Sequence, residues 1–226
     1  MGDSRLPLAA VLPALNEADS IAQVVVGVSA FADVVVVDDG STDNTGDLAR
    51  GAGAYVVTHD CNRGYDKALE SGLLWAVAQG YQYAVTLDAD GQHHAETILL
   101  FARELDAGAD VVVGVRDCTQ RWAEMLFALI GRVLWNIRDP LCGMKGYRLD
   151  LLRHAGRFDT YSSVGTQFCI RAARSGCVIR QVPVLTSPRV GLPRFGSGFR
   201  ANVKIVRAIC LGLLRAHPFH YPPRGS

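Results

Sequence analysis

Short apolar runs bounded by turn residues punctuate the chain. The first, Leu8-Ala9-Ala10-Val11-Leu12, ends at Pro13-Ala14-Leu15-Asn16-Glu17. Runs of this length predict buried strands, and the signature recurs at Asp33 to Val37, Tyr55 to Thr58, Tyr83 to Leu87, Ala109 to Val115 and Cys177 to Val184. Between them the apolar period becomes helical. Ile21, Val24, Val25 and Val28 share one face after a cap candidate at Asp19-Ser20, and further helices are predicted up to Gly51, from Asn62 through Gly72, and over Ala95 to Leu105. Thr119 to Ile137 is a long amphipathic helix with Trp122, Met125, Leu126, Leu129, Ile130 and Val133 on one broad stripe. Such stripes usually face a core, although Arg121, Arg132 and Arg138 leave a membrane-surface role open. Asp139 to Arg148 and the basic stretch Arg189 to Gly198 read as loops, with helices at Asp150 to Ala155, Val164 to Ser175 and Phe199 to Ala216. The alternation predicts an α/β fold: a doubly wound, mostly parallel sheet with helices on both faces, plus a C-terminal amphipathic helix.

In such a fold ligands gather at the carboxyl ends of the strands. Asn16/Glu17, Asp38/Asp39 and Asp88/Asp90 all fall there, so three polar clusters converge on one edge. Asp88-Ala89-Asp90-Gly91-Gln92 is the densest. Two carboxylates one residue apart raise each other's pKa unless a cation shares them, which suggests a divalent metal with oxygen ligands. Taken alone the pair reads equally as a strand-ending turn, since Asp and Gly are ordinary turn formers. His93 and His94 beside it are expected to be hydrogen-bonding loop histidines rather than ligands.

At 226 residues and 49% hydrophobic content the chain fits a single domain with a full core. The near-neutral charge conceals an asymmetry: residues 1–110 carry 17 Asp and Glu against 5 Lys and Arg, a net −12, and residues 111–226 carry 5 against 18, a net +13. An acidic half suited to metal and sugar hydroxyls would then face a basic half suited to phosphates or an anionic surface, unless the halves simply attract each other. Six scattered cysteines without a CxxC pair predict free thiols in a reducing, cytoplasmic setting. The N-terminus lacks the long apolar region of a signal peptide, and no apolar stretch reaches the roughly 20 residues of a membrane span. Basic residues interrupted by apolar stretches, beside an acidic half, argue against nucleic-acid binding.

Taken in order, Val11-Leu12-Pro13-Ala14-Leu15-Asn16-Glu17, Val37-Asp38-Asp39-Gly40-Ser41-Thr42-Asp43, Asn62-Arg63-Gly64 with Ala68 and Gly72, and Asp88-Ala89-Asp90-Gly91-Gln92-His93 resemble the family 2 glycosyltransferases of the GT-A fold. The second half resembles the branch making polyprenyl-phosphate sugars, the dolichyl-phosphate mannose and glucose synthases, through Asp139 to Arg148 and Cys177 to Val184. The resemblance implies one GT-A domain over 1–226, with a nucleotide-binding half at 1–115, an acceptor-binding half at 116–198 and an amphipathic helix and tail at 199–226. It implies that Pro13, Leu15 and Glu17 contact the nucleoside, that Asp39 meets the base edge, and that Asp88 holds the ribose or the metal. It further implies that Asp88, Asp90 and Gln92 ligate Mg²⁺ or Mn²⁺. Lys67, Arg189 and Arg194 join the nucleotide-binding set, and Asp90, Arg116, Asp139 and Lys145 the catalytic one.

Many relatives carry a Glu at the position aligned with Gln167. A saccharide hydroxyl wants a carboxylate base, whereas a lipid phosphate arrives ionised and needs none, so Gln167 favours a phosphate acceptor. The expected activity is inverting, metal-dependent transfer of a hexose from a nucleotide diphosphate sugar to a polyprenyl phosphate such as dolichyl or undecaprenyl phosphate, the protein lying on the cytoplasmic leaflet. The alternatives are a transferase extending a glycan, with Asp139 as base, and a nucleotide-sugar-binding pseudoenzyme.

Overall fold

The computed structural model describes residues 7–117, 122–156, 158, 165–185 and 199–221. Its centre is a 7-stranded sheet in the order β3-β2-β1-β4-β6-β5-β7. The strands are β1 (Leu8–Ala14), β2 (Asp33–Asp38), β3 (Tyr55–Thr58), β4 (Tyr83–Thr86), β5 (Val111–Arg116), β6 (Lys145–Arg148) and β7 (Ile179–Val184). The helices are α1 (Ile21–Ser29), α2 (Thr45–Gly51), α3 (Tyr65–Ala78), α4 (Thr97–Asp106), α5 (Trp122–Trp135), α6 (Asp150–Ala155), α7 (Thr166–Arg174) and α8 (Phe199–Arg215). Pairing is parallel except around β6, which runs antiparallel to both β4 and β5.

That antiparallel strand corrects the reading of Asp139 to Arg148 as loop throughout. Lys145 pairs in register with Thr86 on one side and Val113 on the other. Residues of mixed polarity are held in a central strand because two neighbours satisfy their backbone groups, which the residue pattern alone does not disclose.

The period-2 alternation of β1 and β2 divides the core between two faces. Ala9, Val11, Val35 and Val37 belong to one core cluster with residues of α3, α5, α7 and α8, while Ala10, Leu12, Val34 and Val36 belong to a second with residues of α1 and α4. Helices cover both faces, which is why these strands are aliphatic at nearly every position. Chain order reverses between β1 and β4, so the crevice for a ligand lies at their carboxyl ends, where the polar loops begin.

The α5 stripe faces the other way from the expected one. Ala123, Phe127, Gly131 and Trp135 are buried, spaced four apart, whereas of the expected stripe Trp122, Met125, Leu126, Leu129 and Val133 are exposed, Val133 by 72%, and Ile130 is half-buried against the core. Small residues let α5 seat closely, so its inner face is the less apolar one. On α8, Ile205, Ala208 and Ile209 are inside, and Val203, Val206, Cys210 and Leu213 are outside.

Candidate active site

The loops after β1 and β2 are knitted into one platform. Thr45 Oγ1 accepts from the Glu17 amide at 2.8 Å, Ser41 Oγ accepts from the Asn16 amide at 3.0 Å, and Asn16 Oδ1 accepts from the Thr42 amide at 2.8 Å. Asn16 adopts φ 53°, a left-handed conformation that Asn tolerates, and the chain can therefore turn sharply at the strand end. Pro13 is buried in β1, Leu15 is half-buried and Glu17 is buried at the head of α1. Ser20, expected as a side-chain cap, makes no cap bond. Its hydroxyl instead lies 3.2 Å from Glu17 Oε2 and donates to the Ala89 carbonyl at 2.9 Å, joining this platform to the loop after β4.

Asp39 is buried and organises its neighbours. Oδ1 accepts from the Arg63 amide at 2.9 Å and lies 2.7 Å from His59 Nδ1, and Oδ2 accepts from the Gly64 amide at 2.8 Å. The turn it fixes opens α3 at Gly64, whose φ of 93° suits glycine. Asp38 caps the other side of the same loop, accepting from the Ser41 amide at 2.9 Å.

Asp88 and Asp90 leave the end of β4 as the strand pattern predicted. Asp88, about a third exposed, is gripped at both oxygens: Tyr65 Oη donates to Oδ1 at 2.8 Å, and His93 Nε2 lies 3.6 Å from Oδ2. Partial burial pushes this carboxyl up, but the His93 ring, the Tyr65 hydroxyl and the Lys145 charge outweigh it and hold the acid below its ordinary range. Burial together with the Asp88 charge pushes the Tyr65 phenol well above its usual value, so it remains a donor. Asp90 is buried and accepts from the Gln92 amide at 3.1 Å.

Two carboxylates on one loop, one of them held ionised, followed by the side-chain carbonyl of Gln92, fit the all-oxygen ligation of Mg²⁺ or Mn²⁺. Among the described residues no group of three or more His, Cys, Asp or Glu side chains is assembled to hold a metal ion.

Against this loop lies the segment preceding β6. The Gly143 Cα is so close to Asp88 that a Cβ there would stand 2.8 Å from Oδ2. The Thr86 hydroxyl donates to the Gly143 carbonyl at 3.0 Å, and fully buried Lys145 donates its Nζ to the Cys142 carbonyl. Arg116 and buried Asp139 are directed at each other: Nε donates to Oδ2 at 2.7 Å and Nη2 to Oδ1 at 3.0 Å. Burial alone would lower the guanidinium pKa, but Asp139 more than reverses it. Neighbouring Cys142 is buried, and its thiol is pushed up to about 11 by burial and the Asp139 charge.

Asp88, Asp90, Asp139 and Lys145 thus share one region, joined by Gly143 and Cys142. Exposed Lys67 pairs with Glu70 on α3. Arg189 and Arg194 lie outside the described residues. Gln167 is buried in the first turn of α7, and its Oε1 has no hydrogen-bond partner among the described residues. Tyr65, Asp66, Thr166 and His59 join the site without having stood out in the sequence. For His59 a signal was present, because it directly follows β3 at the same sheet edge. For the others the partners are too distant in sequence to be read.

The sequence pattern of glycosyl transferase family 2 matches residues 9–123. The chain is similar to an undecaprenyl-phosphate mannosyltransferase of Micrococcus luteus, 35% identical over 176 residues covering 67% of this chain and 70% of that one. It is also similar to a dolichyl-phosphate hexose transferase of Haloferax volcanii, 30% identical over 220 residues, 90% of this chain and 94% of the other. Its fold matches the crystal structure of glucosyl-3-phosphoglycerate synthase from Mycobacterium tuberculosis in complex with Mn²⁺, UDP-glucose and phosphoglyceric acid, with a TM-score of 0.75 at 23% identity, over 98% of this chain and 82% of that one.

Proposed function

The chain belongs to glycosyl transferase family 2 and is a glycosyltransferase, and from that premise we propose that it moves a hexose from a nucleotide diphosphate sugar to a polyprenyl phosphate. The observation that carries the acceptor class is the state of the second half's polar groups. Asp139, the carboxylate considered as a base, has both oxygens committed to Arg116, and the α7 position presents the neutral amide of Gln167. An acceptor that arrives already ionised requires no base, and the two relatives above are named for polyprenyl-phosphate acceptors.

In this reading the platform of Pro13, Leu15 and Glu17 receives the nucleoside, and Asp39 fixes the Arg63-Gly64 turn beside it. Asp88, Asp90 and Gln92 hold Mg²⁺ or Mn²⁺, which when bound supplies electrostatic stabilisation of the charge growing on the leaving diphosphate. Arg189 and Arg194 are the cations proposed to share that task. An acceptor phosphate oxygen forms its bond to the anomeric carbon as the bond to the diphosphate breaks, so configuration inverts. Lys145 keeps the Cys142-Gly143 segment against Asp88.

The outward apolar faces of α5 and α8 support a resting place on a bilayer. Exposed Arg132 and Arg207 add attraction to anionic lipid of about 1 kcal/mol per residue near the surface. Among the described residues no helix is long and apolar enough to cross a membrane.

The deciding experiment incubates the protein with Mn²⁺, a panel of nucleotide sugars and either a short polyprenyl phosphate or a soluble oligosaccharide. The expected product is the glycosylated polyprenyl phosphate of inverted anomeric configuration. Asp90→Ala should lower transfer by on the order of 100-fold or more with an unchanged melting temperature. Product on the oligosaccharide alone would reverse the acceptor assignment.

A further inference from the structure

Two consecutive residues at the start of α3 reach in different directions. Tyr65 Oη donates to Asp88 Oδ1 at 2.8 Å, on the loop after β4. The next residue, Asp66, is buried and accepts at Oδ1 from the Gly165 amide at 3.1 Å, across 99 positions of chain. Gly165 is the left-handed residue that opens α7, with φ 63°. The path closes from the other side: Thr166 donates its hydroxyl to the Pro140 carbonyl at 2.7 Å, and Pro140 leads through Cys142 to Gly143, which abuts Asp88. The ring therefore joins the carboxylate loop, the start of α3, the start of α7 and the segment before β6.

We propose that the Tyr65-Asp66 pair is a tether that fixes the donor carboxylate Asp88 and the acceptor-side helix α7 in one geometry. Both are positioning residues for transfer. The proposal rests on the function above insofar as Asp88 belongs to the donor site and α7 to the acceptor site. The physical case is that a carboxylate ligand holds its orientation through the groups behind it, and losing such a partner typically weakens metal binding by about 10–100-fold. The Asp66 bond sets where α7 begins, and so where Thr166 and Gln167 stand.

Tyr65→Phe removes one hydroxyl and leaves the ring's packing in place. Manganese binding in the presence of UDP or GDP, followed by electron paramagnetic resonance, should weaken by about tenfold while the melting temperature stays near wild type. Asp66→Ala should leave that affinity close to wild type, raise the acceptor KM or lower kcat, and speed amide exchange at Gly165. Asp66→Asn, which retains an acceptor oxygen, should restore both. The tether is refuted by wild-type manganese affinity in Tyr65→Phe, or by unaltered acceptor kinetics and Gly165 exchange in Asp66→Ala. A wild-type protein that binds manganese with neither nucleotide would sink the proposed function as well, whereas wild-type binding with an unaffected Tyr65→Phe sinks the tether alone.

Discussion

At the scale of single residues, charge alone does not tell whether a group acts on a substrate or on its neighbour. Arg116 and Asp139 both stood out as catalytic candidates, and the structure directs them to each other through two bonds of 2.7 and 3.0 Å. Asp139→Asn should therefore act first on stability. It takes the bidentate counter-charge from a largely buried guanidinium and leaves it only the Glu124 carboxylate at 3.9 Å, at a cost of about 2–3 kcal/mol that lowers the melting temperature by roughly 4–10 °C. A thermal melt checks this, and an unaltered melting temperature with abolished transfer would return Asp139 to the role of base. Residues whose function depends on strand position were legible: Asp88, Asp90 and Asp39 fall where the sheet ends. Residues defined by a remote partner were not. Tyr65 carries no mark in the sequence of its bond to Asp88, 23 positions away, nor Arg116 of its bond to Asp139.

Elements were legible as periods but not as orientations. The stripe on α5 was visible as helical spacing, yet a stripe has no sign: it can face a core or solvent, and only the packing of the inner face of α5 against α7 and α8 decides it. The same limit hid β6, since a four-residue strand of mixed polarity takes its identity from β4 and β5 beside it. The exposed face has a measurable consequence. Leu129 is 61% exposed, so Leu129→Glu should change folding stability by less than about 0.5 kcal/mol. On a bilayer the same change removes an inserted Leu worth about 2 kcal/mol, so affinity for vesicles containing anionic lipid should fall by roughly 30-fold. Flotation or sedimentation of wild type and variant over a lipid titration measures this, and equal partitioning would assign the face to something other than lipid.

For the whole molecule, the strand-helix alternation and the carboxyl-end rule were sufficient to predict a doubly wound sheet with its site at one edge. They could not give the strand order, because the insertion of antiparallel β6 between β4 and β5 is a property of the assembled sheet. That insertion brings Lys145 and Gly143 of the basic half against Asp88 of the acidic half, so the charge asymmetry along the chain becomes a juxtaposition inside the site. The seat of α3 completes the arrangement, since it carries Tyr65 and Asp66 at its head and lies close on β1 and β2. A Cβ at Gly72 would stand 2.4 Å from Val11 Cγ1 and 2.9 Å from Val37 Cγ2, both on fully buried valines in central strands that have little room to yield. Gly72→Ala should therefore destabilise despite the better helix propensity of alanine, by about 2 kcal/mol net, a fall of roughly 4–8 °C. Because the helix must lift off the sheet to accept the methyl group, manganese-nucleotide binding should weaken along with stability. Gly51→Ala is the internal control: among the described residues no atom lies within 4 Å of its added Cβ, so the melting temperature should hold or rise. If Gly72→Ala melts at or above the wild-type temperature, α3 is not seated on Val11 and Val37, and the geometry that places its first turn between the two halves of the site fails with it.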